Sequence, residues 1–405
     1  MREFFRKKYI AGTVFIISLL AFSFVNAICG TKMLQSLGKE LLQAGSAEDI
    51  RAWTERVEAE VSEEILGRMM FIETYGYMQK LMGKREFNNF AFIKGNDGML
   101  YYGSLFQSAT DDLEIYAKRV NRLNEYVESR GAKLIVVLPP SKILNGIADV
   151  DLSWPLNNPN YRIDKLMSLL QQNGVTAMDL RIDLAASGLS LEEMFLKTDH
   201  HWTSRAGFAA AQGLVELVRE RFQDDWDPDG FYCNPDHYNS ITYEQCMLGS
   251  TGRNTGAVYS GLDDYTLLWP SFETEFTWED YEHKDTYHGD FTHSLLDLSC
   301  LQTDSLYENS VNRVYLNEIV DKDRIVNHLN SGGPRIKALR DSYFSPMACF
   351  LAPMCSEIDM MWGRGGDSPE EYEEFIKTGD YDYFILEIYP YNLDNKSFQF
   401  FIDTE

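Results

Sequence analysis

The sequence predicts an α/β fold built on a doubly wound parallel sheet. Short β-branched runs alternate with amphipathic stretches of helical spacing, first over residues 111–222 and again over residues 335–388. The run Lys133–Leu138 (KLIVVL) shows no polar alternation, which is typical of a strand buried on both faces. Strands and helices that alternate in this way predict a parallel sheet with helices on both sides.

The N-terminal segment, residues 1–30, indicates where in the cell the chain is located. Arg2, Arg6, Lys7 and Lys8 precede an uncharged run over residues 10–30. About 20 apolar residues can span a bilayer, and basic residues before such a run favour translocation of the chain that follows. The favoured interpretation is an uncleaved single-pass membrane anchor. A cleaved signal peptide is the alternative, because residues 25–27 offer a cleavage site. Both interpretations place the rest of the chain outside the cytoplasm.

A helical stalk or arm is expected over residues 31–89, because apolar residues recur at helical spacing between residues 48 and 81. A β-hairpin follows over residues 90–103. Its turn is Asn96-Asp97-Gly98, a strong hairpin signal between two apolar runs.

The α/β domain is expected in two parts, residues 90–222 and 335–405. The first part has a strand at 175–180 and helices at 111–130, 161–173 and 203–222, the last with Thr203 as N-cap. In the second part, strands are expected at 335–340, 357–361 and 383–388, with helices at 345–351 and 369–377. Residues 223–334 are rich in aromatic residues, Asp, Asn and Gly, and predict an inserted, partly β segment that acts as a lid.

The charge balance restricts the partners. The chain carries 37 basic and 62 acidic residues. After residue 30 there remain 33 basic and 61 acidic residues, a net charge of −28. Such a surface repels polyphosphate, so nucleic acid is not an expected partner. A neutral or weakly charged acceptor fits better than a strongly anionic glycan.

The six cysteines include no CxxC pair, so no structural zinc site is expected. Cys233 and Cys246 could form a disulfide in an oxidising compartment, or all the thiols could be free. The sequence indicates no cofactor and no metal.

Asp199, His200 and His201 form the first candidate catalytic group. In an extended segment, residues two apart point to the same side, so Asp199 can orient the imidazole of His201. The alternatives are a metal site made by the adjacent histidines and a structural turn.

Ser342 is the second candidate, because it lies on a turn between a predicted strand and a predicted helix. That position exposes a hydroxyl at the sheet edge beside backbone N–H groups, which suits a nucleophile. A helix N-cap is the alternative role for a serine here. Ser345 is the better cap candidate, because Pro346 follows it in the favoured first-turn position.

The strings Thr198-Asp199-His200-His201-Trp202 and Arg340-Asp341-Ser342-Tyr343 resemble the DHHW family and its relatives, the alginate O-acetyltransferases AlgJ and AlgX. The resemblance covers about residues 92–393. It implies an SGNH hydrolase-like fold in which the Asp-His motif precedes the serine. It also implies Ser342 as nucleophile, His201 as general base and Asp199 as its orienting carboxylate.

The activity implied by this resemblance is transfer of an acyl group, acetyl in the first instance, to a cell-surface or secreted polysaccharide. The acyl donor would come from a multi-pass membrane acyltransferase. The same three residues could serve a carbohydrate esterase that removes acetyl groups. Arg340 occupies the usual glycine position, which keeps open a third alternative, a non-catalytic glycan-binding or assembly protein.

The remaining site residues are less defined by the sequence. Gly252, Arg253 and Asn254 are candidates for a second oxyanion donor. Trp202 either packs behind the histidine or stacks on a sugar. The candidates for substrate contact are Lys142, Trp202, Arg253, Tyr343 and Arg364.

Overall fold

The structure is a computed structural model. It describes residues 2–106, 113–144, 160–301, 306–307, 310, 313–316, 320–363, 368–389, 391, 393 and 398–402. The chain divides into two compact units, Met1–Tyr77 and Met78–Glu405.

Helices form the first unit. They are α1 (Arg2–Cys29), α2 (Thr31–Gln43), α3 (Ala47–Glu64) and α4 (Arg68–Leu81), the last of which continues into the second unit. The stretch Arg6–Cys29 of α1 is 24 residues long and apolar enough to cross a membrane by length and composition. This helix fits both a signal sequence and an anchor.

The predicted helical arm is divided into separate helices because the backbone turns between them. Gly67 adopts a φ of +77° just before α4, a conformation that glycine accepts without strain. Ser46 caps α3 by accepting the N–H of Asp49 at 3.1 Å. The Trp53 indole donates to the carbonyl of Leu37 at 2.8 Å and so ties α3 to α2.

The second unit contains the sheets. Its strands are β1 (Glu86–Phe87), β2 (Phe92–Lys94), β3 (Leu100–Tyr102), β4 (Lys133–Leu138), β5 (Ala177–Asp179), β6 (Tyr238–Met247), β7 (Asp263–Pro270), β8 (Phe276–Asp280), β9 (Asp285–Gly289), β10 (Lys322–Asn327), β11 (Arg335–Arg340), β12 (Glu357–Trp362) and β13 (Tyr383–Glu387).

The helices of this unit surround the sheets. They are α5 (Leu113–Ser129), α6 (Tyr161–Gln172), α7 (Leu180–Ala186), α8 (Leu191–Met194), α9 (Ser204–Phe222), α10 (Ser250–Thr255), α11 (Ala257–Ser260), α12 (Phe291–Ser294), α13 (Phe344–Leu351) and α14 (Pro369–Lys377).

The main sheet has the strand order β5-β4-β13-β11-β12-β10-β8-β9. The first five strands are parallel, and the last three are added antiparallel. Successive side chains of β4 enter two different cores, which shows that helices cover both faces of the sheet. Ile135 and Val137 pack with α9 and α13, whereas Leu134 and Val136 pack with α5, α6 and α14. The predicted doubly wound α/β fold is confirmed.

The predicted hairpin is present in the described residues. β2 pairs with β3 in antiparallel register, with Lys94 opposite Leu100. Gly98 takes a φ of +83° in the connecting turn, which explains why glycine suits that position.

The aromatic-rich segment differs from the expected lid. Its strands β8, β9 and β10 pair with the main sheet, so this part of the segment belongs to the α/β domain. A buried ion pair strengthens the attachment of β10 to the parallel strands. Arg340 at the end of β11 lies 2.7 Å from Asp323 of β10. Both side chains are fully buried. Trp278 of β8 donates its indole N–H to the same carboxylate at 3.0 Å.

One further expectation is corrected, and the alternative left open for the cysteines is decided. The helix after the turn at Ser342 begins at Phe344, so Ser345 lies inside its first turn and is not the N-cap. Its hydroxyl has no hydrogen-bond partner among the described residues. All six cysteines are free thiols, so Cys233 and Cys246 are not bridged.

Candidate active site

Ser342 lies on the turn between β11 and α13, at the carboxyl end of the central parallel strands. The Asp341 carboxylate holds this turn by accepting the N–H groups of Tyr343 at 3.0 Å and Tyr389 at 2.7 Å. These two bonds connect the serine turn to the chain that follows β13. They fix the backbone from which the Ser342 hydroxyl projects.

A second carboxyl group, on the neighbouring strand β13, supports the turn at Ser342. Glu387, the last residue of β13, accepts the N–H of Asp341 at 2.8 Å and is fully buried. Burial and the negative charge of Asp341 raise the pKa of Glu387 well above its ordinary value. The buried position therefore favours the uncharged form of this carboxyl group. The sequence showed it only as one polar residue in an apolar strand.

The two predicted motifs meet in the structure. His201 Nε2 lies 2.7 Å from Ser342 Oγ, and His201 Nδ1 lies 2.5 Å from Asp199 Oδ1. Both side chains of the Asp–His pair are buried, and Ser342 is 9% exposed. The serine hydroxyl, the imidazole and the carboxylate thus form one continuous hydrogen-bonded chain, the arrangement needed to activate a hydroxyl.

Burial and charge set the protonation of this pair. Burial opposes ionisation of Asp199, but the positive charges that His201 and His200 can carry hold the pKa of Asp199 well below its ordinary value. Burial and the neighbouring His200 lower the pKa of His201, although Asp199 opposes this effect. The imidazole is therefore neutral at neutral pH and able to accept a proton.

Asp199 is held by a segment far away in the sequence. Its Oδ2 accepts the N–H of Ser250 at 2.6 Å, and its Oδ1 accepts the N–H of His201 at 3.1 Å. Gly249 approaches closely, donating its N–H to the hydroxyl of Thr198 at 2.8 Å. Neither the position of Ser250 nor its neighbours in the sequence predicted that it would hold Asp199.

Asp263 and Lys142 support the strand-like segment before Asp199. Asp263 at the start of β7 accepts the backbone N–H groups of Lys197 and Thr198 at 2.5 and 2.8 Å. Lys142 donates to the carbonyls of Leu100 and Lys197 at 2.9 and 3.0 Å. Burial lowers the pKa of Lys142 to about 8. Its ammonium is used inside the protein, so the expected substrate contact by Lys142 is replaced by a supporting role.

Asp199, His200 and His201 also offer ligand atoms that lie within 4.8 Å of one another, a spacing that a metal ion could bridge. The nitrogens of His201 are, however, already bonded to Asp199 and Ser342. Binding an ion through His201 would therefore break the hydrogen-bonded chain described above.

His200 forms the more open side of the site. Its ring centroid lies 3.9 Å from that of His201, and the rings of Tyr102 and Tyr389 lie 5.6 and 6.3 Å away. The side chain is 23% exposed. An aromatic surface of this kind can contact a ligand that approaches Ser342.

The other predicted contacts have different positions. Trp202 and Tyr343 are buried and pack edge to face, with centroids 5.3 Å apart. The Tyr343 hydroxyl donates to the carbonyl of His200 at 2.6 Å. Both residues therefore pack around the histidines, and neither forms a sugar platform. Arg253 lies on α10 and donates to the carbonyl of Tyr307 at 3.4 Å. Arg364 lies outside the described residues.

The expected oxyanion donors are engaged elsewhere. The N–H of Gly252 donates to the Thr198 carbonyl at 2.9 Å, and the N–H of Arg253 donates to the Gly249 carbonyl at 2.8 Å. The Asn254 side chain donates to the Ser250 carbonyl at 2.8 Å. These bonds anchor α10 beside Asp199 and occupy the backbone N–H groups of Gly252 and Arg253.

Comparison with protein families gives a match over residues 92–235 to the AlgX model, described as an SGNH hydrolase-like domain of the acetyltransferase AlgX. The chain carries an SGNH hydrolase-like domain. The match confirms the predicted relationship to AlgX and the prediction of an SGNH-like enzyme domain.

Solved structures with this SGNH-like fold include a DHHW family protein from Eubacterium siraeum. It is 17% identical, has a TM-score of 0.56, and the match covers 75% of this chain and 92% of that one. PatB1 from Bacillus cereus is 14% identical with a TM-score of 0.59, covering 76% and 99%. At these identities the likeness concerns the fold. Comparison with curated proteins gave no match.

The pH dependence of ester hydrolysis by the SGNH-like domain should reflect the lowered pKa of His201. His201 can accept a proton from Ser342 only when its imidazole is neutral, so kcat/KM should fall as the pH drops through the pKa of His201. We expect the midpoint of this acid limb below 6.5, the ordinary value for histidine. Initial rates with an aryl acetate across the pH range check this. A midpoint at or above 6.5 would contradict it.

Gly249 is expected to tolerate no side chain. A Cβ there would lie 2.6 Å from the Thr198 carbonyl oxygen and 2.7 Å from Asp199 Oδ2. Gly249→Ala should displace the segment that holds Asp199 and lower kcat/KM by about 10²-fold, because misplacement by about 1 Å has that effect. Gly332→Ala is the matched control, since no atom lies within 4 Å of a Cβ at that position. Equal activity of the two variants would refute the role of Gly249.

Proposed function

We propose that this chain is an extracytoplasmic, serine-dependent O-acyltransferase, with acetyl as the favoured group, that modifies a polysaccharide through an acyl-serine intermediate. The observation that carries the proposal is the chain of hydrogen bonds from Asp199 through His201 to Ser342. This arrangement supports an enzyme over a binding module, because a buried imidazole held between a carboxylate and a hydroxyl is built to move a proton.

In the first step, His201 Nε2 accepts the hydroxyl proton of Ser342 as Oγ attacks the acyl carbonyl. Asp199 stabilises the imidazolium that forms, and the donor alcohol leaves with the proton. In the second step, His201 removes a proton from a sugar hydroxyl that attacks the acyl-serine. The sugar ester leaves, and Ser342 recovers its proton.

The acyl group and acceptor follow from two lines of support. The matched family model is described as an acetyltransferase, which supports acetyl as the transferred group. The net charge of −28 after residue 30 favours a neutral or weakly charged acceptor over a strongly anionic one. The polysaccharide acceptor is thus expected to carry few acidic sugars.

The proposed location rests on α1. As an uncleaved single-pass anchor, α1 would keep the SGNH-like domain at the extracytoplasmic surface of the membrane. A domain held there could receive its acyl group from a multi-pass membrane acyltransferase. A cleaved α1 would give a secreted enzyme with the same chemistry.

The full-length protein in detergent provides the test. It is incubated with an aryl acetate, alone or with neutral oligosaccharides, and both the protein and the sugars are analysed by mass spectrometry. We expect one acetyl group on the peptide that contains Ser342 and a mass gain on the oligosaccharide. Pre-acetylated oligosaccharides that only lose mass would instead identify an esterase. A protein that never acquires an acetyl group or a sulfonyl fluoride label would refute both activities.

A further inference from the structure

A small cavity lies beside the hydrogen bond between Ser342 and His201. Its volume is about 20 Å³, enough for a single oxygen atom of water size, which needs on the order of 10–15 Å³. The residues that line it are His201, Trp202, Ser204, Tyr265, Tyr315, Ser342, Ser345 and Pro346.

Two of these lining residues bring a buried polar atom that has no partner. Trp202 Nε1 and Ser345 Oγ make no hydrogen bond to any described residue. An unpaired buried donor costs about 1–3 kcal/mol, and almost all such groups are paired in folded proteins. Two unpaired groups around one cavity, next to a candidate nucleophile, therefore indicate an occupant that the protein chain itself does not supply.

The chemistry of the two groups restricts that occupant. An indole N–H can only donate, and a serine hydroxyl can donate or accept, so one atom that satisfies both must be an acceptor. A methyl group would leave both unpaired. The Gly252 and Arg253 N–H groups, expected to bind an oxyanion, already donate elsewhere.

The residues that carry both groups lie in packed elements of the fold. Trp202 forms a β-bridge with Phe195 and packs edge to face on Tyr343. Ser345 is buried in the first turn of α13, three residues after Ser342. Donors fixed in a buried site before reaction cost no reorganisation when negative charge develops.

We infer that this cavity is the oxyanion site, with Trp202 Nε1–H and Ser345 Oγ–H as its side-chain donors. As the Ser342 Oγ–carbon bond forms, the carbonyl π electrons move to the oxygen in the cavity and His201 takes the serine proton. When this electron pair returns to reform the carbonyl, the bond between the acyl carbon and the oxygen of the donor alcohol breaks. His201 then gives the proton to that alcohol. The inference rests on the proposed acyl-serine chemistry.

The test uses Trp202→Phe, which keeps the ring and removes the N–H, and Ser345→Ala. Trp226→Phe is the matched control, because the Trp226 indole N–H is also buried without a hydrogen-bond partner among the described residues, but it lines a different cavity. We measure the rate of acetyl-enzyme formation from an aryl acetate and the affinity for a trifluoromethyl ketone, which forms a tetrahedral adduct with serine. Thermal unfolding reports whether each variant is folded.

Each site variant should lose about 10²–10³-fold in acylation rate. Affinity for the ketone should fall by a similar factor, with the acid-limb midpoint unchanged, and Trp226→Phe should behave like the native protein. A merely structural role would not make ketone affinity and acylation rate fall together. If Trp202→Phe fails to fold, Ser345→Ala decides alone.

Unchanged acylation in both folded variants overturns the inference while the proposed function stands. Slower hydrolysis of the acetyl-enzyme with normal acylation also overturns it, since the cavity would then hold a hydrolytic water. A native protein that forms no acetyl-enzyme at all overturns the proposed function itself, and this inference with it.

Discussion

Replacing Ser342 by alanine should lower acetyl-ester turnover by about 10⁴–10⁶-fold, the range found when a catalytic serine is removed. The Ser342 hydroxyl is the atom that His201 Nε2 approaches at 2.7 Å, and the described chain places no second hydroxyl within hydrogen-bond distance of that nitrogen. Alanine removes the proposed nucleophile and leaves the imidazole without its hydrogen-bond partner. Initial rates with an aryl acetate, together with sulfonyl fluoride labelling, measure the loss.

Ser294→Ala is the matched control for Ser342→Ala. Ser294 is also buried, but its hydroxyl donates to the Asp290 carbonyl at 2.7 Å in α12. The control should keep activity and lose about 1 kcal/mol of stability with that hydrogen bond. Retention of more than about a tenth of the native rate in a folded Ser342→Ala protein would remove Ser342 from the mechanism.

Asp199→Asn should reduce kcat by about 10⁴-fold. The Asp199 carboxylate accepts hydrogen bonds from the His201 ring, the His201 backbone and the Ser250 backbone. An asparagine offers one accepting oxygen and one donating amide, so it cannot satisfy both sides of this arrangement. The imidazole would then adopt the wrong tautomer, or α10 would lose its bond to residue 199, which we expect to cost about 1–3 kcal/mol of stability.

Asp280→Asn tests whether the loss depends on the site. Asp280 is likewise buried, and its carboxylate lies 2.8 Å from the Nδ1 of His283, but it is the last residue of β8. This variant should retain near-native turnover. Similar losses in Asp199→Asn and Asp280→Asn would mean that the effect reflects general destabilisation.

The elements predicted best were those whose local pattern is determined by burial. β4 is apolar throughout because both of its faces are covered, and α9 begins where Thr203 accepts the N–H of Ala206. β10 was missed because its side chains alternate between buried and half-buried, which leaves charged residues in a strand of the main sheet. Its partner strands lie elsewhere in the chain, so no local signal identified it.

The site was predictable as far as its short motifs extend. Asp199, His201 and Ser342 could be predicted to act as one group because their motifs and the resemblance point to them directly, and the structure places them in one hydrogen-bonded chain. The groups that hold them, Ser250 and Glu387, act through contacts between residues about 50 apart in the sequence. Such contacts depend on the folded topology, so the sequence alone did not reveal them.

The buried ion pair between Arg340 and Asp323 has an evolutionary consequence. Loss of either partner would leave an uncompensated charge in the core, a change that costs about 3–5 kcal/mol. The two positions should therefore change together during descent, and relatives with glycine at position 340 should carry an uncharged residue at position 323. A chimera that exchanges the segment around Asp323 between relatives would need to bring the matching residue on β11 with it.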